Sequence, residues 1–182
     1  MTQYFHIHPE NPQPRLIKQA VQIIRNGGVI AYPTDSAYAL GCHLGDKDAL
    51  AKIVRIRKLD DKHHFTLLCR DLSEIATYAK VDNATYRLLK AHTPGAYTFI
   101  LTGSSEVPRR LMHPKRKTIG LRVPDHAICQ ALLAELNEPL LTATLQLPDE
   151  SEPLFDPDDI LERLGKQLDL VINGGFGTLI PT

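Results

Sequence analysis

No stretch of this 182-residue sequence is apolar for long enough to cross a bilayer, and its start, MTQYFHIHPE, lacks the basic and apolar segments of an export signal. A cytoplasmic protein with no membrane partner is expected. Cysteine is scarce: Cys42, Cys69 and Cys129 are odd in number and far apart, which argues against a disulfide framework or a zinc knuckle. Reduced thiols and no protein-bound metal are expected. Net charge is also absent, since 21 bases balance 21 acids, and bulk affinity for nucleic acid is not implied. The common catalytic signatures are missing, with no Walker loop, G-x-S-x-G elbow, C-x-x-C or H-E-x-x-H. No linker or repeat interrupts the chain, so one domain over 1–182 is expected.

What is present is an alternation of helical and extended patterns, which predicts an α/β fold. Tyr4 to His8 reads as an edge strand whose His6 and His8 form a solvated face. Apolar residues from Leu16 to Ile24 recur at helical spacing and stop at Asn26-Gly27-Gly28. Val29 to Tyr32 is a buried strand closed by Pro33, and Thr34, Asp35 and Ser36 stand where it opens into a loop. Asp46, Asp71, Asp82, Asp125 and Asp156 each have the position of a helix N-cap. Tyr86, Leu88 and Leu89 are read as the core side of the helix after Asp82. Strands are expected at Phe65 to Cys69, Tyr97 to Leu101 (buried mostly on both faces), Thr118 to Val123, the segment after Pro139, and Leu168 to Ile172.

Hydrogen-bond donors are the residues left for chemistry. Arg55, Arg57, Arg122, Thr34, Thr144 and Gln146 suit a reaction driven by holding and orienting anions. Arg122 lies within a strand beside Gly120. It either clamps a carboxylate or phosphate or pairs with an internal acid. Arg109, Arg110, Lys115, Arg116 and Lys117 crowd one segment, expected to be a surface loop with a helical turn, while Asp149 to Glu162 carries seven acids and no base. The basic loop is either solvated or a phosphate contact. Lacking aromatics among its charges, it suits folded or duplex RNA better than single strands.

The stretch GGVIAYPTDSAYALG (27–41) resembles the signature of the YrdC/YciO family, as do RIRKLDDKHHFTLLCRDL, TPGAYTFIL, KTIGLRVPDH, PLLTATLQLP and LDLVINGG further on. The details are most similar to the YciO branch. The resemblance implies a YrdC-like twisted mixed sheet with surrounding helices and a concave basic ligand-binding face. It also implies a threonylcarbamoyl-AMP synthase reaction of the tRNA threonylcarbamoyladenosine pathway. In that reaction L-threonine and bicarbonate give a carbamate, whose oxygen attacks the α-phosphate of ATP and releases pyrophosphate, with magnesium accompanying the triphosphate. By the same resemblance Thr34, Tyr38, Arg57 and Arg122 hold threonine and its carbamate, and Arg55, Arg122, Thr144 and Gln146 hold the nucleotide. Arg55 and Arg57 stand at the family's catalytic K-x-R motif. Arg109, Arg110, Lys115, Arg116 and Lys117 would meet double-stranded RNA or tRNA.

The sequence departs from the family at several of these positions. Arg55 replaces a lysine, Thr144 and Gln146 replace the S-x-N pair, Ser36 replaces a threonine, Ala39 a glycine, and Cys69 a substrate-side histidine. A planar guanidinium does not reproduce an ammonium, and longer side chains displace donors, so slow turnover is expected. The alternative is a non-catalytic RNA-binding module on the same fold. The resemblance implies that this sequence, whether cut short or lacking that piece, ends before the family's last strand, and Thr182 is a candidate for the start of the family's hydroxyl-rich segment.

Overall fold

Eight strands form one mixed sheet in the order β1-β8-β2-β3-β7-β4-β6-β5. They are β1 (Gln3–His6), β2 (Ile30–Tyr32), β3 (Ala39–His43), β4 (Thr66–Leu68), β5 (Phe99–Thr102), β6 (Thr118–Arg122), β7 (Leu140–Thr144) and β8 (Leu170–Asn173). The helices are α1 (Pro14–Arg25), α2 (Lys47–Arg57), α3 (Leu72–Tyr78), α4 (Asn83–His92), α5 (Ala127–Leu136) and α6 (Pro157–Leu164). The structure is a computed structural model and describes residues 1–60 and 63–178, so Thr182 lies outside the described residues. None of the described helices is long and apolar enough to cross a membrane.

Local chemistry sets the element ends. Asp46, Asp71, Asp82 and Asp156 cap α2, α3, α4 and α6, each carboxylate accepting a backbone N–H in the first turn. Glu74 reaches back to the N–H of Arg70, so the start of α3 is tied from both sides. The cap of α5 is His126 rather than Asp125: its Nδ1 accepts the N–H of Ile128, while the backbone N–H of Asp125 donates to Asp35.

Strand register decides where the open surface lies. One face of the sheet is sealed throughout by an apolar layer that includes Tyr38, Leu40, Cys42, Leu67, Cys69, Leu121 and Leu141 with side chains of α2 and α6. On the other face α1 and α5 pack over β2, β8 and the near ends of β3, β4 and β7, through Ile24, Ile30, Tyr32, Leu68, Leu133 and Leu140. Beyond those helices the face is uncovered. There Thr142, Thr66, Gly120 and Ile100 lie in register across β7, β4, β6 and β5. A Cβ on Gly120 would come within 2.7 Å of Thr66 Oγ1 and 3.1 Å of Phe65 O, so glycine here lets the floor close up.

Two further sequence expectations change, and one strand is new. The strand near Tyr97 is not buried on both faces, because β5 is the sheet's last strand; Tyr97 and Ile100 are exposed. Of the core positions expected on α4 only Leu89 is buried, and Tyr86 and Leu88 face solvent. β3 is an addition. Its first four residues are buried with no polar alternation to reveal a strand, and it runs antiparallel to both β2 and β7.

Candidate active site

The uncovered face is a cleft of about 340 Å3, within the range of small-molecule sites. Its floor is Thr66, Thr142, Ala143 and Thr144. Thr98 and Ile100 of the edge form one rim, and Ser36, Ala37 and Gln146 another, while Arg57, His63, His64 and Arg122 supply its basic groups. None of the described lining residues is a carboxylate. The charge carried by the described lining is therefore positive.

Arg57 enters from the last turn of α2, after which Lys58 adopts a left-handed conformation (φ 51°) and turns the chain away. Its Nε is buried and has no hydrogen-bond partner among the described residues. Burial lowers its pKa, yet a guanidinium remains charged at any physiological pH. Arg55 does not share the cleft. Residues two apart on an α-helix point about 200° apart, and Arg55 lies outside, exposed, fronting a separate hollow of 960 Å3 with Lys52, Arg163 and Lys166. The K-x-R pair expected to act together is thus divided by helix geometry.

Arg122 lines the cleft but is already paired. Its Nη2 donates to Asp35 Oδ1, and the two side chains are only 7% and 12% exposed. Asp35 Oδ2 accepts the backbone N–H of Asp125 at 2.8 Å, fixing the carboxylate from both ends. The internal ion pair, one of the two readings of Arg122, is what forms. A ligand meets a neutralised pair here rather than a bare guanidinium.

The remaining expected positions divide. Thr144 and Gln146 line the cleft as a pair, although Gln146 donates through Nε2 to Glu150 O at 2.9 Å. Thr34 is buried beneath it: its hydroxyl donates to Ala37 O at 2.6 Å and accepts the N–H of Ser36, shaping the loop instead of facing the ligand space. Ser36 takes the place in the lining. Tyr38 belongs to the sealed face, two residues before Leu40, and its hydroxyl donates to Gly175 O and accepts the N–H of Gly174. Burial pushes that phenol up to about 12. Cys69 is fully buried on the same sealed side, its thiol pushed up by burial, and does not replace a ligand group.

Sequence reasoning missed His63, His64 and Thr66. His64 Nε2 lies 3.2 Å from Thr118 Oγ1, and its ring stacks on His113 with centroids 4.9 Å apart. The Nδ1 of His113 accepts the N–H groups of Lys115 and Arg116 and so holds the basic turn. The alternation Thr66-Leu67-Leu68 gave a signal for Thr66, which stands opposite the core-facing Leu67.

The basic segment is a surface loop with one 3-10 turn, Arg109–Leu111. Arg109, Arg116 and Lys117 join Lys80 around a hollow of 940 Å3 that also carries Ser104 and Ser105. Arg110 turns elsewhere and donates to Gly45 O at 2.7 Å, and Lys115 is exposed outside the hollow's lining. Among the described residues no group of three or more His, Cys, Asp or Glu is placed to hold a metal ion; His6 and His8 are exposed.

His126, the cap of α5, gives the stability of the fold a pH dependence. Burial lowers its pKa below the ordinary 6.5, Arg122 acts in the same direction, and Asp35 and Asp125 oppose them. The unfolded chain then takes up a proton before the folded one. This contribution to stability is full above 6.5 and is lost as pH falls through that value toward the folded pKa. Because Asn is an equally good cap without a titrating ring, His126→Asn should show a smaller loss of urea midpoint between about pH 7.5 and 5.5 than the unaltered protein.

Comparison with known proteins follows the same lines. Residues 22–181 match the Sua5/YciO/YrdC family model, whose description is telomere recombination. The chain is 59% identical over all 182 residues to YciO of Escherichia coli (strain K12), of which it spans 88%. The crystal structure of E. coli YciO superposes with a TM-score of 0.97 over 100% of this chain and 88% of that one. A threonylcarbamoyl-AMP synthase of Vibrio vulnificus (strain YJ016) is 26% identical over 164 residues, 88% of this chain and 87% of that one. P. abyssi Sua5 complexed with L-threonine shares the fold, with a TM-score of 0.87 at 22% identity over 97% of this chain and 51% of that one.

Proposed function

Because this chain belongs to the Sua5/YciO/YrdC family, we propose that its cleft binds L-threonine and MgATP and slowly forms threonylcarbamoyl-AMP. The observation that carries this reading is Arg57, a half-buried guanidinium whose buried Nε has no partner among the described residues, in a cleft lined by no described carboxylate. Such a group is costly without an anion and well suited to one. Arg57 would take the threonine carboxylate or the carbamate, and Thr144, Thr142, Ser36 and Gln146 would orient phosphate and ribose oxygens. The metal arrives on the triphosphate, as part of the substrate. Carbamate oxygen attacks the α-phosphorus, the bond to the bridging oxygen breaks, and pyrophosphate leaves with its electron pair. The chain's own contribution is position and positive charge. The departures at Thr144 and Gln146, which do line the cleft, support slow rather than fast turnover.

The experiment is threonine-dependent pyrophosphate release from ATP and bicarbonate, combined with nucleotide calorimetry. Release that requires all three substrates is expected. No release and no nucleotide binding would sink the reading.

A second reading rests on the other hollow. Lys80, Arg109, Arg116 and Lys117 surround it without a described acid in the lining, an arrangement suited to the phosphates of double-stranded RNA or tRNA. Neutralising Arg109, Arg116 and Lys117 should lower the slope of log affinity for a duplex RNA against log salt by about one per lost phosphate contact. Neutralising Arg110, held on Gly45, should change it little. An unchanged slope in the triple variant would reject this surface.

A further inference from the structure

We propose that His63 is the base that takes the proton from the α-ammonium group of the amino-acid substrate when the carbamate forms; this assignment rests on the proposed function and adds a catalytic residue to it. The chemistry demands such a group. An ammonium and bicarbonate become a carbamate, water and one proton, so the site needs an acceptor. The ammonium gives its proton to His63, and the freed lone pair attacks the carbon of bicarbonate. The N–C bond forms, a C–O bond breaks, and the departing hydroxyl leaves as water with a proton from the amine nitrogen.

Among the described residues the lining offers few acceptors. Arg57 and Arg122 are permanently protonated. Asp35, behind Arg122, has one oxygen on that guanidinium and the other on the N–H of Asp125. His64 has Nε2 against Thr118 Oγ1 and its ring stacked on His113. His63 differs: neither ring nitrogen makes a hydrogen bond among the described residues, and the ring is held edge-on to Phe65 with centroids 5.3 Å apart. It is half-buried and lines the same cleft as Arg57.

Its electrostatic setting keeps a lone pair available. Burial first, and then the charges of Arg57 and His64, lower its pKa below 6.5 against an opposing effect of Asp60. The imidazole is neutral at neutral pH. Position matters equally. In an α-amino acid the amine is carried by the carbon next to the carboxylate, so a substrate held through its carboxylate by Arg57 presents its amine to a neighbour of Arg57. The residue type is right, and so is the place.

The test compares His63→Gln with the unaltered protein in two reactions. In the forward reaction from threonine, bicarbonate and ATP, His63→Gln should lose about 100-fold or more in kcat with KM for ATP within about twofold. Added imidazole should restore part of the rate, and the fall of kcat on the acid side should disappear. In the reverse reaction from supplied threonylcarbamoyl-AMP and pyrophosphate, which forms ATP without any ammonium to deprotonate, the variant should keep its rate to within about threefold. Forward turnover at the unaltered rate, or equal losses in both directions, overturns the assignment of His63 alone. If the unaltered protein forms no product in either direction, the functional reading itself is overturned and the base with it.

Discussion

Arg57→Met is expected to bind the anionic substrates about 10- to 100-fold more weakly, the equivalent of the ~1.5–3 kcal/mol that a hydrogen bond to a charged group is worth. Its melting temperature should equal or exceed that of the unaltered protein. The two results belong together. An unpartnered Nε in a half-buried position is a cost to the empty protein, and a methionine of similar volume removes it. Arg55→Met, on the far side of α2, should leave affinity within about twofold because no part of Arg55 lines the cleft. Calorimetry with ATP and with threonine, beside thermal unfolding, separates these outcomes. A melting point several degrees lower in Arg57→Met would show that the guanidinium supports the fold and is not reserved for a ligand.

The opposite behaviour is expected at the Asp35–Arg122 pair. Asp35→Ala leaves Arg122 inside the protein without its carboxylate and removes the acceptor for Asp125 N–H. Breaking a buried pair from one side costs about 3–5 kcal/mol, a large share of the ~5–15 kcal/mol that keeps a domain folded. Urea unfolding should show a much lower midpoint with an unchanged slope. Replacing both partners, Asp35→Leu with Arg122→Met, should recover most of the loss, since no charge is then stranded. If Asp35→Ala unfolds at the same urea concentration as the unaltered chain, the pair is not the anchor described here.

These two arginines show what a sequence can and cannot reveal. The caps at Asp46, Asp71, Asp82 and Asp156 were legible because capping is local: the acceptor and its N–H lie within three residues. The partner of Arg122 lies 87 residues away, which no local pattern reports. Tyr38 is an intermediate case. Once β3 is known to begin at Ala39, alternation puts Tyr38 with Leu40 on the sealed side, but the first four residues of β3 offer no polar alternation to mark its faces. His63 and His64 carried no pattern at all, being two histidines before an apolar run, and only the cleft they line together with Arg57 and Thr66 gives them a setting. The edge position of β5 likewise follows from sheet order, which local hydropathy does not encode.

Strand order also governs how the molecule can be made. β8 is inserted between β1 and β2, and Val29 donates its N–H to Asp169, 140 residues further along the chain. During synthesis the first two strands therefore emerge with a gap between them that stays unfilled until Leu170–Asn173 has left the ribosome. Contacts so distant in sequence slow the search for the native pairing, and the waiting edges are open to other chains. Collapse of the nascent polypeptide should be late and abrupt rather than gradual, and holdase chaperones have the longest opportunity to act before β8 arrives.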